Sequence, residues 1–394
     1  MVFRLFSKLR AEKQAAQAEE DERLDLALDQ LRLIAGVEFD GDLAKEEIWW
    51  RDHFLWLKDI GYQLRSRYAP GWVPSWQGTD KNWVACEDSF WLPTAQVISA
   101  IRTSDGAHVI LKRIQPSRHP HEIEISRFVA SEPLRSQREN HCVAVLDVLD
   151  VPNDPDEAIL ILPLLRDFND PPFETIGEII DFVVQVCEGL QFMHKHNIAH
   201  RDCMNLNIMM DPSRMFLEPY HPCAPHKRFD MKGRVKFLSR TESSPRYLFI
   251  DFGISRRYDS LEGGAPLEPP ILGGYKNVPE FQLSLEPQNP FPTDVWYLGY
   301  MLQQELLHVY RGLGFLEPLV SQMVQSDPAM RPTMDEVVSR FAPTYNALSP
   351  WRLRSRAVQK EEWILVALLR SFVHWMRTIR YVWRGFPAIP SRVM

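Results

Sequence analysis

Glycine is scarce in this chain and proline is abundant. The 394 residues include 18 glycines and 30 prolines, whereas globular proteins average about 7% glycine and about 5% proline. The shortage matters because glycine allows backbone amides to approach phosphate groups closely. A chain with so little glycine has few positions for a phosphate-binding loop.

The chain also lacks the signals of secreted and membrane proteins. Its five cysteines are odd in number and scattered, which predicts no disulfide framework or zinc site and favours a reducing compartment. Residues 1–10 interleave charged with apolar residues, so we expect no secretory signal. No run of roughly 18 apolar residues is present, so we expect no transmembrane helix. These absences predict a cytoplasmic or nucleocytoplasmic location.

Neither sign of charge dominates the composition. The chain has 45 basic and 52 acidic residues, for a net charge of −7. Because domains that bind nucleic acids usually carry an excess of basic residues, we expect no nucleic-acid partner. Hydrophobic residues make up 45% of the chain, which is enough to build a core and excludes wholesale disorder.

Tryptophan is abundant, and its distribution divides the chain. Of the twelve tryptophans, seven lie at 49–91 and four at 351–383, so that 92–350 contains only Trp296. We predict a helical, Trp-rich N-terminal extension, a central domain and a basic amphipathic tail, at 1–89, 90–343 and 344–394. Helices are expected in the extension at 8–35 and 45–68.

The central domain changes from strands to helices near residue 165. Two β-rich runs flank the turn Asp105-Gly106, a pattern typical of a hairpin. A strand-rich half followed by a helix-rich half predicts an α+β fold of two lobes, at about 90–164 and 165–343. The expected strands are 96–103, 107–114, 142–150 and 157–162, and the expected helices are 121–131, 175–196, 293–309, 316–325 and 333–341.

The strongest chemical signal is a set of short runs in a fixed order. His200-Arg201-Asp202-Cys203-Met204-Asn205-Leu206-Asn207 follows the predicted helix at 175–196. Asp251-Phe252-Gly253 follows the strand-like run YLFI. Three more runs come later in the chain: Val278-Pro279-Glu280, the run DVWYLG that begins at Asp294, and the run DPAMRPT that contains Arg331.

These five runs resemble the motifs of the protein kinase superfamily. The chain is also similar to a group of fungal kinase-like proteins, in the segment LRSRYAPGWVPSW and in the HRDCM loop. The resemblance implies a bilobal fold with a small β-rich N-lobe and a larger helical C-lobe. It further implies ATP and Mg²⁺ as cofactors, and a protein substrate whose hydroxyl accepts the phosphate, with Ser or Thr favoured and Tyr left open.

The resemblance also implies catalytic roles for individual residues. Asp202 would orient the attacking hydroxyl and accept its proton, while Asn207 and Asp251 would hold Mg²⁺, which prefers oxygen ligands. The other matching residues would be structural or regulatory. Among these, His200, Phe252 and Gly253 would align the catalytic groups, Arg201 would meet a phosphate on the activation segment, Glu280 would pair with Arg331, and Asp294 would lie in the helix beneath the site.

The strand-rich half supplies the expected nucleotide contacts. Lys112 ends the apolar run Val109-Ile110-Leu111, which looks like the strand that carries a phosphate-binding lysine in kinases. Its partner is either Glu122 or Glu124, and helical spacing favours Glu122 because Ile125 and Val129 would share its face. Adenine would lie where the strand at 157–162 meets the linker, against backbone groups of Pro163 and Leu165.

Several departures from the kinase pattern leave two function classes open. The segment expected to cover the phosphates, 88–100, contains no glycine, and Met204 and Leu206 occupy positions at which many kinases have a basic residue. An insert near 211–246 lengthens the chain before Asp251. The chain is therefore interpreted as an active kinase or as a pseudokinase, a scaffold that keeps the fold and binds nucleotide without efficient catalysis.

Two further hypotheses concern regulation and partners. Four hydroxyl residues of the expected activation segment are candidate phosphorylation sites: Ser255, Tyr258, Ser260 and Tyr275. A helix at 363–384 would place Ile364, Leu368, Phe372, Trp375, Ile379 and Val382 on one face and Arg370, His374, Arg377 and Arg384 opposite. We expect this helix to dock on the domain or on a partner helix, with a membrane interface as the alternative.

Overall fold

The computed structural model describes residues 43–81, 83, 86–91, 94, 96–260, 264–271 and 274–390. The helix predicted at 8–35 lies outside these residues. The chain packs as two compact units. Of the described residues, the first unit contains those up to Leu55 and those within Ser66–Ser89, and the second contains Trp56–Arg65 and those from Phe90 onward.

Strands are concentrated between residues 97 and 257, where they form one larger sheet and several short ones. The strands are β1 (Tyr62–Leu64), β2 (Val97–Arg102), β3 (Ala107–Ile114), β4 (Asp147–Asp150), β5 (Ala158–Pro163), β6 (Arg166–Asp167), β7 (Ile198–Ala199), β8 (Ile208–Asp211), β9 (Tyr220–His221), β10 (Ala224–Arg228), β11 (Arg246–Phe249) and β12 (Arg256–Arg257).

Helices dominate the chain from residue 176 onward. The helices are α1 (Ile48–Asp52), α2 (Phe54–Asp59), α3 (Glu122–Ala130), α4 (Ile176–Lys195), α5 (Pro279–Leu283), α6 (Pro290–Leu302), α7 (Glu317–Met323), α8 (Met334–Asn346), α9 (Pro350–Leu353) and α10 (Ile364–Trp383). A π-helical turn, Gln303–Leu307, follows α6. Among the described residues, none of the helices combines the length with the apolar character needed to cross a bilayer.

Within the first unit, polar contacts organise part of the Trp-rich segment. Arg67 donates to both carboxylate oxygens of Glu47 at 2.8 Å, and both side chains are buried. Asp88 accepts hydrogen bonds from Trp72 Nε1 at 3.0 Å and from the Ser75 backbone N–H at 2.9 Å. Ion pairs and charged acceptors form the stronger class of hydrogen bonds, so these contacts restrain the irregular chain between α2 and Ser89.

The prediction of one helix over 45–68 is wrong. Helix α2 ends at Asp59, and Gly61 adopts a φ of 95° that L-residues rarely adopt. Tyr62 and Leu64 are then buried on the same side of β1, with Gln63 between them. Because β1 pairs with β2, the tertiary contact overrides the local helical preference.

The larger sheet has five strands in the order β1-β2-β3-β5-β4, and all neighbours are antiparallel. Gly106 has a φ of 72° in the β2–β3 turn, which explains the glycine of the predicted hairpin. The strand predicted at 142–150 is shorter, since the regular strand is only Asp147–Asp150, and Cys142 makes an isolated bridge to Phe249. Helix α3 follows β3, and its inward residues Ile125 and Val129 are buried in the main core.

The helical lobe is built around α4. Thr175 caps this helix by accepting a hydrogen bond from the Glu178 N–H at 3.0 Å. Side chains around the whole circumference of α4 are buried, among them Ile179 and Phe182, as expected of a central helix. A sheet-rich lobe followed by a helical lobe confirms the predicted bilobal α+β fold.

The C-terminal helix α10 docks on this lobe by its polar side. Arg377 contacts Glu174 at 2.5 Å, Tyr381 and Ser239 share a hydrogen bond of 2.8 Å, and His374 is buried. From Leu368 onward, the apolar face identified in the sequence lies on the other side of the helix and is exposed. Docking therefore occurs through His374 and Arg377, which the sequence places opposite the apolar face.

Candidate active site

Two paired strands bring the acidic runs of the sequence together. Asn207 immediately precedes β8, and Asp251 follows β11 by two positions. Strands β8 and β11 are antiparallel with Ile208 opposite Phe249, and the Ile250 N–H donates to the Asn207 carbonyl at 3.0 Å. Residues 44 positions apart in the chain thus become neighbours at one end of a small sheet.

A buried aspartate beneath the site holds the loop that follows β7. The carboxylate of Asp294, in α6, accepts the backbone N–H of His200 at 2.8 Å and that of Arg201 at 2.6 Å. Arg201 has a φ of 69°, which costs a non-glycine residue about 1–3 kcal/mol. Two charge-assisted hydrogen bonds offset this strain and orient the loop.

Asp202 lies in the same loop with one oxygen bonded and one unpaired. Its Oδ2 accepts from Asn207 Nδ2 at 2.7 Å, whereas the buried Oδ1 has no hydrogen-bond partner in the part of the chain that the structure describes. A Cβ at Gly274 would lie 2.8 Å from Oδ1, so glycine there leaves the oxygen approachable. Burial raises the pKa of Asp202, and Asp251 adds to the effect against the opposing influence of His200 and Asn207.

Lys112 of β3 bridges two carboxylates. Its Nζ lies 2.6 Å from Glu122 Oε1 and 2.8 Å from Asp251 Oδ1. Burial opposes the charged form of Lys112, but the two carboxylates raise its pKa above the ordinary value. Burial likewise opposes ionisation of Asp251, and the adjacent ammonium outweighs it and lowers that pKa. The structure thus places a lysinium ion against the Asp251 carboxylate.

The second glutamate of α3 points elsewhere. Glu124 is largely exposed and lies 3.3 Å from Arg257 Nη1 of β12. Glu122 is almost fully buried on the same face as Ile125 and Val129. The structure therefore pairs Glu122 rather than Glu124 with Lys112, which is the choice that helical spacing favours.

Oxygen atoms suited to a hard cation converge near Asp251. Both hydrogen bonds of its carboxylate go to Oδ1, from Lys112 and from the Gly253 N–H at 3.1 Å, so Oδ2 accepts none within the described chain. Asn207 donates its amide nitrogen to Asp202, and its amide oxygen likewise accepts no bond there. These two oxygens fit the preference of Mg²⁺ for carboxylate and carbonyl ligands.

Comparison with known families identifies the family to which this fold and site belong. A family model described as "Protein kinase domain" matches residues 93–308, more than half of the chain. The chain belongs to the protein kinase superfamily. This confirms the resemblance to the superfamily, and the matched range includes Lys112, Asp202 and Asp251.

Curated kinases are similar to parts of the chain. A light-sensor protein kinase of Ceratodon purpureus is 25% identical over 158 residues, or 36% of this chain and 10% of that protein. Cyclin-dependent kinase B2-1 of Arabidopsis thaliana is 30% identical over 145 residues, and cell division control protein 2 homolog D of Antirrhinum majus is 27% identical over 144 residues. Each of these two matches covers 31% of this chain and 43% of the relative. The chain thus spans less than half the length of the relatives that it matches.

Packing inside the kinase domain explains the residue types at His200, Phe252 and Gly253. The rings of His200 and Phe252 lie 5.6 Å apart, and His200 Nε2 contacts the Ile250 carbonyl at 3.1 Å. A Cβ at Gly253 would come within 3.1 Å of both Asp251 Oδ1 and His119 Nδ1. Glycine therefore lets the chain pass close beneath the Asp251 carboxylate.

Arg201 meets a carboxylate in the place where a phosphate was expected. Its Nη1 lies 3.2 Å from Glu268 Oε2, and its guanidinium donates to the carbonyls of Ile254 and Pro269 at 3.1 and 2.9 Å. Tyr258 donates to the other oxygen of Glu268 at 3.0 Å. Glu268, which no sequence pattern identified, thus supplies the negative charge that pairs with Arg201. In the sequence, nothing distinguishes Glu268 except that it is an acidic residue between Gly253 and Val278.

One of the four candidate phosphorylation sites is inaccessible. Ser255 is fully buried, and its Oγ donates to the His200 carbonyl at 2.9 Å, so the expectation of exposure is wrong there. Tyr258 and Tyr275 are half-buried and hydrogen-bonded, to Glu268 and Asn205 respectively. Ser260 is exposed and remains the most accessible of the four.

The linker expected to meet adenine continues directly from β5. Pro163 is the last residue of β5 and lies opposite Val109 of β3. Leu165 is buried, and its carbonyl accepts a hydrogen bond from Tyr220 of the insert at 3.1 Å. The insert near 211–246 therefore includes the paired strands β9 and β10 and supports the linker between the two lobes.

The segment expected to cover the phosphates overlaps a strand of the sheet. Kinases carry the phosphate-binding lysine on the third strand and cover the phosphates with an earlier glycine-rich loop. Lys112 lies on β3, the third strand in chain order, and the end of the expected segment 88–100 is part of β2, which pairs with β3. The assignment of 88–100 to the phosphates stays a prediction.

The ion pair predicted from two distant motifs is present in the helical lobe. Arg331 donates to both oxygens of Glu280 at 2.8 and 2.6 Å, and both side chains are almost fully buried. Thr293 of α6 donates to the same carboxylate at 2.7 Å. The pair thus ties the end of the activation segment to the chain that precedes α8.

The pairing of Lys112 predicts different effects for two neighbouring glutamates. Glu122→Gln removes the charge that holds Lys112 and is expected to lower kcat/KM for phosphotransfer by about tenfold, since a charge-assisted hydrogen bond contributes about 1.5–3 kcal/mol. Glu124→Gln is the matched control and should leave kcat/KM unchanged, because its partner Arg257 is not part of the site. Equal effects of the two substitutions would show that the assignment of Glu122 is wrong.

Proposed function

We propose that this chain is an active protein kinase that transfers the γ-phosphate of ATP to a hydroxyl of a protein substrate, Ser or Thr. The observation that carries the proposal is the joint placement of Lys112, Glu122 and Asp251 by contacts of 2.6 and 2.8 Å. Asp202 and Asn207 are bonded to each other at 2.7 Å in the adjacent loop. Four separate segments of the chain contribute to this arrangement, which has the charges that phosphoryl transfer requires.

Each residue has a role that its environment supports. Asp202 Oδ1 would accept the proton of the substrate hydroxyl, whose oxygen then bonds to the γ-phosphorus as the bond to the ADP oxygen breaks. Lys112, held by Glu122, would contact the α- and β-phosphates, and Pro163 and Leu165 would present backbone groups to adenine. Positioning and charge compensation by these groups would account for most of the catalysis.

The open oxygens of the site fit a magnesium ion. Asp251 Oδ2 and Asn207 Oδ1 would hold it, because neither oxygen accepts a hydrogen bond from the described chain. When bound, Mg²⁺ would offset the negative charge of the phosphates. The lowered pKa of Asp251 keeps its carboxylate ionised for this purpose.

The second candidate function is a nucleotide-binding pseudokinase. Two observations favour it: Met204 lies where many kinases have a lysine, and the segment 88–100, which is expected to cover the phosphates, contains no glycine. A neutral side chain at 204 offers no charge to the transferring phosphate. The expected cytoplasmic or nucleocytoplasmic location stays a prediction under either function.

Replacement of Asp251 separates the two functions. We expect Mg·ATP to raise the melting temperature of the wild-type chain, and the chain to label casein or histone from γ-labelled ATP. Ligand at 100 times its Kd stabilises a protein by about 2.7 kcal/mol. Asp251→Ala should abolish transfer and the magnesium-dependent part of the thermal shift. If wild type and variant are equally inert while ATP stabilises the wild type, the chain is a scaffold.

A further inference from the structure

Helix α10 presents a large apolar surface away from the domain on which it docks. Phe372 is 55% exposed, Ile379 62% and Trp383 85%. Large exposed apolar patches are rare on soluble proteins and mark interaction sites. The outer face of α10 consists of Leu368, Leu369, Phe372, Trp375, Met376, Ile379 and Trp383.

The opposite side of the helix is held firmly by polar contacts. His374 Nε2 contacts the Arg354 carbonyl at 2.9 Å, and Arg377 and Arg380 contact Glu174 and Glu242 at 2.5 and 2.8 Å. These residues recur at a spacing of three, so they form one stripe that faces the domain. The outer face cannot turn inward without breaking these ion pairs.

The chain after the helix fixes its far end as well. The Ala388 carbonyl lies against Gly177 of α4, where a Cβ would come within 1.9 Å of the carbonyl oxygen. Arg354 Nη2 donates to the Phe386 carbonyl at 2.5 Å. A helix of 20 residues, about 30 Å long, is thus displayed along the surface with its apolar side outward.

The tail is strongly basic although the chain is acidic. Residues 344–394 contain nine basic and two acidic residues, while the chain as a whole has 45 and 52. No acidic residue lies within α10, and the two that precede it include Glu362, which is already paired with Arg356 and Arg370. Arg377 and Arg380 pair with Glu174 and Glu242 of the domain, whereas Arg384 at the end of the helix has no ion pair in the described part of the chain.

Tryptophan is the characteristic side chain of this surface. Trp351, Trp363, Trp375 and Trp383 are all more than half exposed, and the rings of Trp351 and Trp375 lie 6.3 Å apart. Indole rings concentrate at the boundary between lipid headgroups and acyl chains, where one edge is polar and the rest apolar. Arg384 is exposed at the end of α10, and a basic residue near such a face attracts anionic headgroups.

We propose that the outer face of α10 binds the kinase domain to an anionic lipid surface, with the helix lying in the plane of the headgroups. A second copy of the chain is the less favourable occupant, because pairing two outer faces would bring together two tails with nine basic and two acidic residues each. Anionic lipid supplies both the apolar layer that accepts the tryptophans and the charge that complements the arginines. This assignment is independent of whether the kinase site is active.

Flotation of the full chain with lipid vesicles tests the proposal. We expect binding to vesicles of phosphatidylcholine mixed with phosphatidylserine and much weaker binding to vesicles of phosphatidylcholine alone. The double variant Phe372→Asp, Ile379→Asp should lower partitioning by at least about tenfold, since each apolar side chain contributes roughly 1.5–3 kcal/mol on burial. Arg384→Gln should lower binding to the anionic vesicles by about fivefold, the effect of one basic residue near such a surface.

A matched control separates lipid binding from general effects of added charge. Leu217 is 73% exposed and is not part of the tail, so Leu217→Asp should leave vesicle binding unchanged. All these side chains are exposed, and melting temperatures of the variants should match the wild type. The proposal fails if the double variant floats like the wild type, or if the wild type binds neither kind of vesicle. It also fails if light scattering shows a dimer that the double variant abolishes while vesicles bind neither protein.

Discussion

Asp202→Asn is expected to slow phosphotransfer by about 10²- to 10⁴-fold, the usual contribution of a positioned general base. Asparagine has nearly the shape of aspartate and keeps an oxygen for the hydrogen bond from Asn207, which is 2.7 Å long in the structure. It has no basic oxygen that could take the proton of the substrate hydroxyl. Steady-state kinetics with Mg·ATP and a protein acceptor would measure the loss in kcat.

The same variant should still bind nucleotide. Lys112, Asp251 and the linker residues are unchanged, so the thermal shift with Mg·ATP should equal that of the wild type. Asp211→Asn, on the neighbouring strand β8, serves as the control for removing a carboxylate near the site. If Asp202→Asn keeps the wild-type kcat, Asp202 is not the general base.

The pH profile provides a second readout of Asp202. Burial raises the pKa of its carboxyl above that of an ordinary aspartate, which is about 3.9. The ionised form, which accepts the proton, is therefore lost at a higher pH. Activity of the wild type should therefore fall as pH drops through this raised pKa. The residual activity of Asp202→Asn should lack this acidic limb.

Arg331→Met is expected to lower the free energy of unfolding by about 3–5 kcal/mol, because it leaves the buried Glu280 carboxylate without its cation. Both side chains of the pair are almost fully buried, and two hydrogen bonds of 2.6 and 2.8 Å join them. Urea denaturation followed by tryptophan fluorescence would report the change, since Trp296 lies in the adjacent helix α6.

An exposed ion pair on α8 is the matched control. Arg340 contacts Glu336 at 2.7 Å, and both side chains are nearly half exposed. Arg340→Met should cost only about 0.3–0.5 kcal/mol, as is usual for helical pairs in solvent. If the two substitutions cost the same, burial does not govern the strength of the Glu280–Arg331 pair.

The buried pair also has a defined pH dependence. Burial opposes ionisation of Glu280, but Arg331 and Thr293 lower its pKa below the ordinary value of 4.5. A carboxyl whose pKa is lower in the folded than in the unfolded state stabilises the fold above the unfolded value. The contribution of the pair should be complete above about pH 4.5 and decline as pH falls through the lowered pKa.

Motif spacing predicts much of the active site because each motif is local. The run from His200 to Asn207 and the run from Asp251 to Gly253 each occupy a single turn or loop, so their order and residue types identify the family. Helical spacing also favours Glu122 over Glu124, since residues three and seven positions apart share a face. Periodicity likewise predicts the long helices α4 and α10 to within one residue at each end.

Contacts between distant segments lie beyond such local patterns. Strand β1 is only three residues long, and its pairing with β2 depends on partners more than 30 positions away. No spacing rule connects Arg201 with Glu268. The two residues are neighbours only because the folded chain returns to Arg201 after Gly253.

By itself, the amino-acid sequence determined the family, the catalytic candidates and the two-sided character of the C-terminal helix. Periodicity shows that a helix has an apolar side, but it does not show which side meets the protein. The tertiary structure decided that question, because Glu174, Glu242 and Ser239 lie where they can bind the polar stripe of α10. Its apolar residues consequently face outward, since ion pairs and hydrogen bonds orient this helix rather than hydrophobic burial.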